Sequence, residues 1–541
     1  MSIYTSTSRN KDKDIQLVNE LVSRFDLLKA QRDESESIRR EEVFDLVCPY
    51  RRRGYKKNAR WDTTATSASD KLASLLHNLI TPFGSRWHGL IAPDKRSGSF
   101  AYFSEAKILR EGCERLVDEL FAQREVSESG FNLCLKDFYT EVVLFGMGCF
   151  YITARKGGGL RYISVPVSSI VCSTNHENVI DTVFEEFTLK AEDVAKKWGM
   201  EALSDEMKAD LNSSDPKTYE FFQAVFPDKE DEYQGYQQVV VCKKENRLMS
   251  KGYHRVMPYI IGRYEASNDT PFGYSPTYKA LPAIRRLNTL SRASSIYSDQ
   301  SIQPPKLLTE EARGKGFSVK ANSMNYGFLD RRTGAPLIQT LENRNDPRPA
   351  HTEIQRLELQ IRETYMLDLF QLLADRASRS ATESMEKTRE KGVFISAIVG
   401  GLQAEFVGAM VKREIDVLLH SQGANRGELK GVRISYTSPL YKYQKAEIAS
   451  SNMQALRAIA EAANITGDPT LLAMVETYEF GEETLRDLGM SERLISSEED
   501  TNKKIEGQRQ QAEEAQMKQL AIEQSIKTGG EIAESRVKEQ G

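Results

Sequence analysis

The sequence has no apolar run long enough to cross a bilayer. The longest, such as Val142 to Ile152, fall short of the roughly 20 residues that a spanning helix needs. A secretory signal is also missing, because the first residues, MSIYTSTSRNKDKD, are polar. A soluble protein made in the cytosol, with no membrane partner, is therefore expected. Cysteine is scarce, with six in 541 residues and no Cys-x-x-Cys pair. Cys48, Cys113, Cys134, Cys149, Cys172 and Cys242 are scattered, and most fall in apolar runs. That pattern points to buried thiols in a reducing compartment in preference to a disulfide framework. The six histidines are far apart, and no two stand at ligand spacing. No metal site and no cofactor are expected.

Enzyme signatures are missing as well. There is no G-x-x-x-x-G-K-[ST] loop for nucleotide phosphates, no His-Glu-x-x-His and no G-x-S-x-G elbow. Gly146-Met-Gly148 resembles half of a dinucleotide fingerprint, but it precedes a strand-like run and does not open a helix. The sequence displays no chemistry of its own, and no enzyme is expected. An excess of one charge is lacking too: the net charge is −4, with 28% charged residues. That argues against a surface that grips nucleic acid throughout, which usually needs a strongly basic face. Any contact with DNA has to be local or weak. At roughly 100–200 residues per domain, the length suggests three or four structural units or one elongated subunit.

What is present is a long series of elements. Ile15, Val18, Val22, Phe25 and Leu28 recur at helical spacing and predict a first amphipathic helix. A second is expected over Glu41–Val47, stopping at Cys48-Pro49. The stretch YRRRGYKKNARW then carries Arg51, Arg52, Arg53, Lys56, Lys57 and Arg60 with no acidic neighbour. It is either a solvated loop, since Lys and Arg are mostly exposed anyway, or a surface for an anionic partner. Helices follow near Thr64–Ile80, Glu105–Val126 and Phe131–Phe145. From Cys149 to Arg263 the pattern changes to strands: CFYITA, GLRYISVP, VIDTVFEEFTL, QQVVVCKK and YIIGRYE. Short connections predict mostly antiparallel pairing, with one short helix over Ala191–Trp198.

Thr277–Gln303 is expected as a helix with Leu281, Ile284, Leu287 and Leu290 on one stripe, ending where Pro304-Pro305 removes amide donors. Lys306–Pro349 reads as short strands and turns and carries Arg313, Lys315, Lys320, Arg331 and Arg332. Those charges serve either solubility or docking, because loop modules on rigid supports are where binding concentrates. His351–Leu373 is helical again, with a seam of Ile354, Leu357, Ile361 and Tyr365. Two such helices around one compact insertion make a stalk of roughly 35–40 Å at 1.5 Å per residue. Ser380-Ala-Thr-Glu383 then reads as a capping box that opens a helix running to about His420, softened by Gly392, Gly400 and Gly401. Arg376 and Arg379 lie in the connection before it, which on these residues alone is an ordinary turn. Beyond Gly431 come a strand, VRISYTS, and helices around Tyr443–Ala463 and Asp468–Tyr478. From Ser491 the chain is rich in Glu, Gln and Lys, a composition for disorder or a solvated helix unless neighbouring copies hold it.

The order of several segments resembles one family, the portal (head-to-tail connector) proteins of short-tailed, podovirus-type bacteriophages. RWHGL at Arg86–Leu90 is similar to that family's Arg-Trp-aromatic segment, and FGMGCFYI at Phe145–Ile152 to its glycine-bearing lead into the strand block. MPYIIGRYE, PFGYSPTYKALPAIRRLN and QSIQPPKLL resemble its run of Pro-aromatic, Tyr-Gly-x-x-Pro, Ala-Leu-Pro, Leu-Asn and Pro-Pro. RSATESMEKTRE resembles its Arg-x-Thr-Ala-Thr-Glu-Val-x-x-Arg signature, with Ser384 in place of the valine. Gly273-Tyr-Ser-Pro276 lacks the arginine-glycine often found there.

The resemblance implies an α+β, mainly helical, portal-type subunit: a wing (1–276), a first stem helix (277–303), a clip (304–350) and a second stem helix (351–374). A tunnel loop (375–380), a long wing helix (381–430) and a crown with a C-terminal helical tail (431–541) complete it. It implies a dodecameric ring at one capsid vertex, assembled in the host cytoplasm among major capsid and scaffold proteins. Double-stranded DNA passes the central channel, and the clip meets the terminase large subunit and later the tail adaptor. The tunnel loop would bring Leu373, Arg376, Arg379 and Ser380 to the DNA. A ring multiplies every exposed arginine, so a near-neutral chain with few placed cations suits sliding on a polymer with one charge per ~1.7 Å. Two other classes stay open on the residues: a nuclease or ATPase with an unrecognised motif, and a capsid or scaffold protein that meets no DNA.

Overall fold

The computed structural model describes residues 11–51, 60–91, 103–155, 157–211, 216–228, 235–268, 270–314, 316–318, 320, 322–330, 332–341, 347–367, 398–422, 433–436, 439–466, 475–487 and 501–508. The helices are α1 (Lys11–Leu46), α2 (Thr64–Ile80), α3 (Phe103–Glu125), α4 (Phe131–Phe145), α5 (Ala191–Trp198) and α6 (Asp205–Asp210). Then come α7 (Pro276–Ile302), α8 (Arg348–Thr364), α9 (Gly408–Gln422), α10 (Pro439–Thr466) and α11 (Thr477–Asp487). The strands are β1 (His88–Ile91), β2 (Met147–Ala154), β3 (Leu160–Ser164), β4 (Ile170–Thr174), β5 (Ile180–Lys190) and β6 (Thr218–Pro227). They continue with β7 (Tyr236–Cys242), β8 (Arg247–His254), β9 (Tyr259–Arg263), β10 (Lys306–Leu308), β11 (Ile338–Thr340) and β12 (Arg433–Tyr436). The class is α+β and mainly helical, as expected. The chain divides into two compact units, residues 1–84 with 120–428, and 85–119 with 429–541.

The first unit is built on two antiparallel sheets. One has the order β3-β2-β9 and the other β4-β5-β6-β7-β8. Their cores share Met147, Cys149, Val165, Ile170, Val183, Val225, Tyr259 and Ile261, all buried. Strands β4, β6 and β8 were not expected from the sequence. TYEFFQAVFP of β6 is a nearly continuous apolar run, and RLMSKGYH of β8 has no alternation to reveal a half-buried strand. Helix α1 lies on the five-stranded sheet through Val18, Leu21 and Phe25. The Phe25 ring stacks on Phe222 at 5.0 Å. Burying such a side chain stabilises by about 1.5–3 kcal/mol. Ile15, placed on the same stripe by its spacing, is exposed instead.

The first two expected helices are one. Helix α1 runs 36 residues without a break. No Gly or Pro interrupts residues 29–40, and the apolar stripe is continued there by Arg32, Glu36 and Arg40, spaced four apart and all buried. Arg32 donates to the carbonyls of Ser168 at 2.9 Å and Ile170 at 3.1 Å. A periodicity count of apolar residues misses a helix face made of buried ions.

Gly146-Met-Gly148 is a packing motif. Gly146 ends α4 in the left-handed region at φ +81°, which glycine adopts without strain. Gly148, the second residue of β2, lies so close to α4 that a Cβ there would come within 2.6 Å of the Phe138 carbonyl oxygen. In the second unit, β1 pairs with β12 in antiparallel register, His88 opposite Tyr436. Arg86 is ion-paired to Glu114, at 3.0 Å, and to Asp118 on the same stretch of α3. Of the helix expected over Asp468–Tyr478, residues 467–474 lie outside the described residues, and α11 occupies Thr477–Asp487. Residues 501–508 form a mostly exposed helix, the solvated kind their composition allows.

Candidate functional site

Helices α7 and α8 pack side by side and carry a small module between them. The Ser275 hydroxyl accepts from the Tyr278 amide at 2.9 Å and Pro276 stands in the first turn, so capping and a preset φ start α7 together. The base of the pair is pinned. Thr277 donates to the Val143 carbonyl at 2.8 Å, and the buried Tyr365 hydroxyl donates to Thr277 Oγ1 at 2.9 Å. The expected seam of α8 holds, with Leu357, Ile361 and Tyr365 buried and Ile354 half-buried. The helix is shorter than expected at its end, because Met366 takes a left-handed φ of 53°, a conformation that terminates helices. All buried residues of α7 fall within Pro276–Leu287, and from Asn288 onward its residues are half-buried or exposed. At 27 residues it spans roughly 40 Å.

The module at the far end has a core of Ala312, Phe328 and Leu337, with Phe317 edge-on to Phe328 at 5.2 Å. Strand β10 pairs antiparallel with β11, Leu307 opposite Gln339. A tight turn follows Phe328: Asp330 accepts from the Arg332 amide at 2.9 Å and the Thr333 hydroxyl at 2.5 Å, and Gly334 takes φ +67°. Met324 and Tyr326 are each 80% exposed, and Leu307, Leu308 and Leu329 are exposed as well. Of the basic residues expected here, Arg313, Lys320 and Arg332 are exposed, with no ion pair among the described residues. Lys315 and Arg331 lie outside the described residues.

The other expected site residues divide. Leu373, Arg376, Arg379 and Ser380, with the capping box, lie outside the described residues. So do Arg52, Arg53, Lys56 and Lys57. Arg51 is described, and it is occupied: its guanidinium pairs with Asp137 at 2.6 Å and Glu141 at 3.5 Å. The absence of acidic neighbours in sequence gave no sign of this, because both partners come from α4. Arg60 donates to the Val47 carbonyl at 3.1 Å and to Thr66 at 2.9 Å.

Sequence reasoning missed a set of buried ions that hold residues 398–422, where a π-helical turn, Gln403–Val407, leads into α9. Arg263 of β9 pairs with Glu405 at 2.5 Å. Arg124 of α3 meets Glu414 through two hydrogen bonds, at 3.0 and 2.5 Å, and Tyr162 donates to the same carboxylate at 2.6 Å. Arg413 donates to Nδ1 of His254 at 3.2 Å, and the other ring nitrogen faces Gln238 Oε1 at 2.5 Å. That arrangement suits a neutral imidazole with its proton on Nε2. Burial, reinforced by the Arg413 charge, pushes His254 down to about 3. Glu141 goes the other way: burial lifts its carboxyl to about 7 despite the Val167 amide that donates to it. None of these residues stands in a motif; partners lie up to 290 positions apart.

All six cysteines are free and buried, as expected, and burial raises the Cys48 thiol to about 12. Among the described residues no group of His, Cys, Asp and Glu could hold a metal ion, and no helix is long and apolar enough to cross a membrane.

The family model for bacteriophage head to tail connecting proteins matches residues 18–495. The chain belongs to this family. The connector is thus a structural component of the phage particle, with head and tail components for neighbours. Among solved structures it is similar to a chain from the virion of a native gene transfer agent particle, at 11% identity and a TM-score of 0.34. That match covers 75% of the connector and 90% of the other chain. No curated protein matches the connector.

Proposed function

We propose that this connector is a portal. Copies of the chain form a ring, a dodecamer as in the proteins its segments resemble, at one vertex of the capsid. Double-stranded DNA enters through the axial channel during packaging and leaves through it at ejection, without regard to sequence. Helices α7 and α8 serve as the stem, and residues 304–350 as the clip that docks the terminase large subunit and then the tail adaptor. Residues 1–276 and 381–430 form the wing among major capsid and scaffold proteins, 375–380 the tunnel loop, and 431–541 the crown and tail. The chain itself catalyses nothing; the packaging ATPase is a separate subunit.

One observation carries this reading: a pair of long helices, with no fully buried residue along the outer half of α7, ends in a module that exposes Met324, Tyr326, Leu329 and several cations. Exposed apolar groups rimmed by charge mark interaction sites, and here they belong to a head to tail connecting protein. The alternative, a capsid-associated structural or scaffold protein without a channel, predicts no ring. Negative-stain images of the purified full chain decide between them. Rings with an open axial hole are expected; compact particles without a hole, or subunits that stay single at every concentration, would sink the portal reading.

A further inference from the structure

The sheet in the module between α7 and α8 is two strands wide, and both of its edges are open. Thr309 donates to the Leu337 carbonyl at 3.1 Å, and Leu341 to the Pro305 carbonyl at 2.8 Å. Bonded pairs alternate along an antiparallel ladder, so Leu307 and Gln339, midway between these, face each other. The backbone groups of Lys306 and Leu308 on β10, and of Ile338 and Thr340 on β11, therefore point outward. Among the described residues these outward N–H and C=O groups have no hydrogen-bond partner. Side chains do not shield β10. Leu307 and Leu308, which alternate onto opposite faces, are 52% and 51% exposed.

An exposed strand edge invites pairing with another chain, and proteins guard it with proline or with lysine held over the edge. Neither guard works on β10. Pro305 stands where the backbone faces β11, and the Lys306 ammonium lies over the Phe317 ring at 5.4 Å. A sheet of two strands is also marginal by itself and gains from a third. The two edges are unlike, one from β10 and one from β11, which is what a head-to-tail contact between identical copies requires. Set side by side in a ring, the β10 edge of one copy meets the β11 edge of the next, antiparallel as within the copy. Closure then leaves no edge unpaired, as in a barrel. We propose that β10 of one copy adds to β11 of the next, joining the small sheets into one continuous sheet around the ring. The inference rests on the portal reading, which supplies the ring.

Amide hydrogen exchange on the full chain tests it, comparing rings identified in images with single subunits obtained by dilution. The amides of Lys306, Leu308, Ile338 and Thr340 should exchange roughly 10-fold or more slowly in the rings, because bonded strand amides are protected. Rings in which they exchange as fast as in single subunits overturn the strand addition and leave the portal reading standing. Protection that appears only once a tail adaptor or terminase is added does the same, since the edge then serves another protein. A chain that forms no ring at all overturns both readings together. A variant pair separates backbone from side chain. Leu308→Pro removes an outward donor and no inward one, so it should raise the concentration needed for half-assembly while single subunits melt as the parent does. Leu308→Ala keeps the amide and should assemble nearly as the parent; an equal loss in both variants overturns the proposal.

Discussion

His254 and Glu141 are shifted by the fold into or out of the pH range near neutrality, and they pull stability in opposite directions. For His254 the folded value is about 3 against an ordinary 6.5, so between those pH values the unfolded chain binds the extra proton. Its contribution is complete above pH 6.5 and is lost as pH falls toward 3. Glu141, lifted from 4.5 to about 7, is protonated in the fold where the unfolded chain is not. Its contribution is present below pH 4.5 and is lost as pH rises through 7. The contributions of these two groups should therefore oppose each other between about 4.5 and 6.5. His254→Gln should leave a curve that falls with rising pH in that window, and Glu141→Gln a curve that rises. Curves for both variants parallel to the parent would contradict the assignment. The Arg124–Glu414 pair gives a second residue-scale prediction. Removing one member leaves a buried charge alone, so Arg124→Ala should destabilise the first unit by roughly 3–5 kcal/mol in urea titrations. Replacing Arg124, Glu414 and Tyr162 together by Met, Leu and Phe should recover most of it, because the pair offsets its own desolvation.

At the scale of elements, glycines separate packing from propensity. Gly148→Ala forces a Cβ to within 2.7 Å of the Phe138 ring and 2.6 Å of its carbonyl oxygen. Overpacking of this kind typically costs 1–3 kcal/mol, roughly, and should appear as a lower melting temperature. Gly400→Ala meets nothing within 4 Å and should stabilise its helix by up to about 1 kcal/mol. Equal responses at the two positions would contradict the close α4–β2 approach. The clip offers a prediction that rests on the portal proposal. Arg331→Glu with Arg332→Glu should weaken terminase binding at low salt, and the difference should shrink as salt screens it. Unchanged affinity at low salt removes both from the interface. Most elements were legible in the sequence: α7 and the Ala191–Trp198 helix lie within a residue of their expected ends. The two missed helix boundaries have a common cause. Helix α1 continues on buried ions and α8 stops at a left-handed Met366, so neither boundary follows apolar periodicity.

For the whole molecule, the proposed ring predicts that Arg376→Ala with Arg379→Ala leaves assembly intact. Charges of this kind, away from special features, shift stability by under ~0.5 kcal/mol. The variant should alter packaging or retention of DNA, because phosphate contacts act without regard to sequence. A double variant that packages, retains and ejects like the parent would return the loop to an ordinary turn. By itself the sequence determined the class, the order of the elements and, through the order of several weak motifs, the family; these depend on local propensity and on patterns read along the chain. Only the tertiary structure decided which charges are free. Arg51 is the plain case: it stands in the most basic stretch of the chain, yet Asp137 neutralises it from another helix, with the Glu141 carboxyl beside the pair. The same holds for Arg124 and Glu414, which are 290 positions apart and fully buried together. Whether an ion meets water or a partner depends on what the fold brings within a few ångströms of it, and sequence spacing carries no measure of that distance.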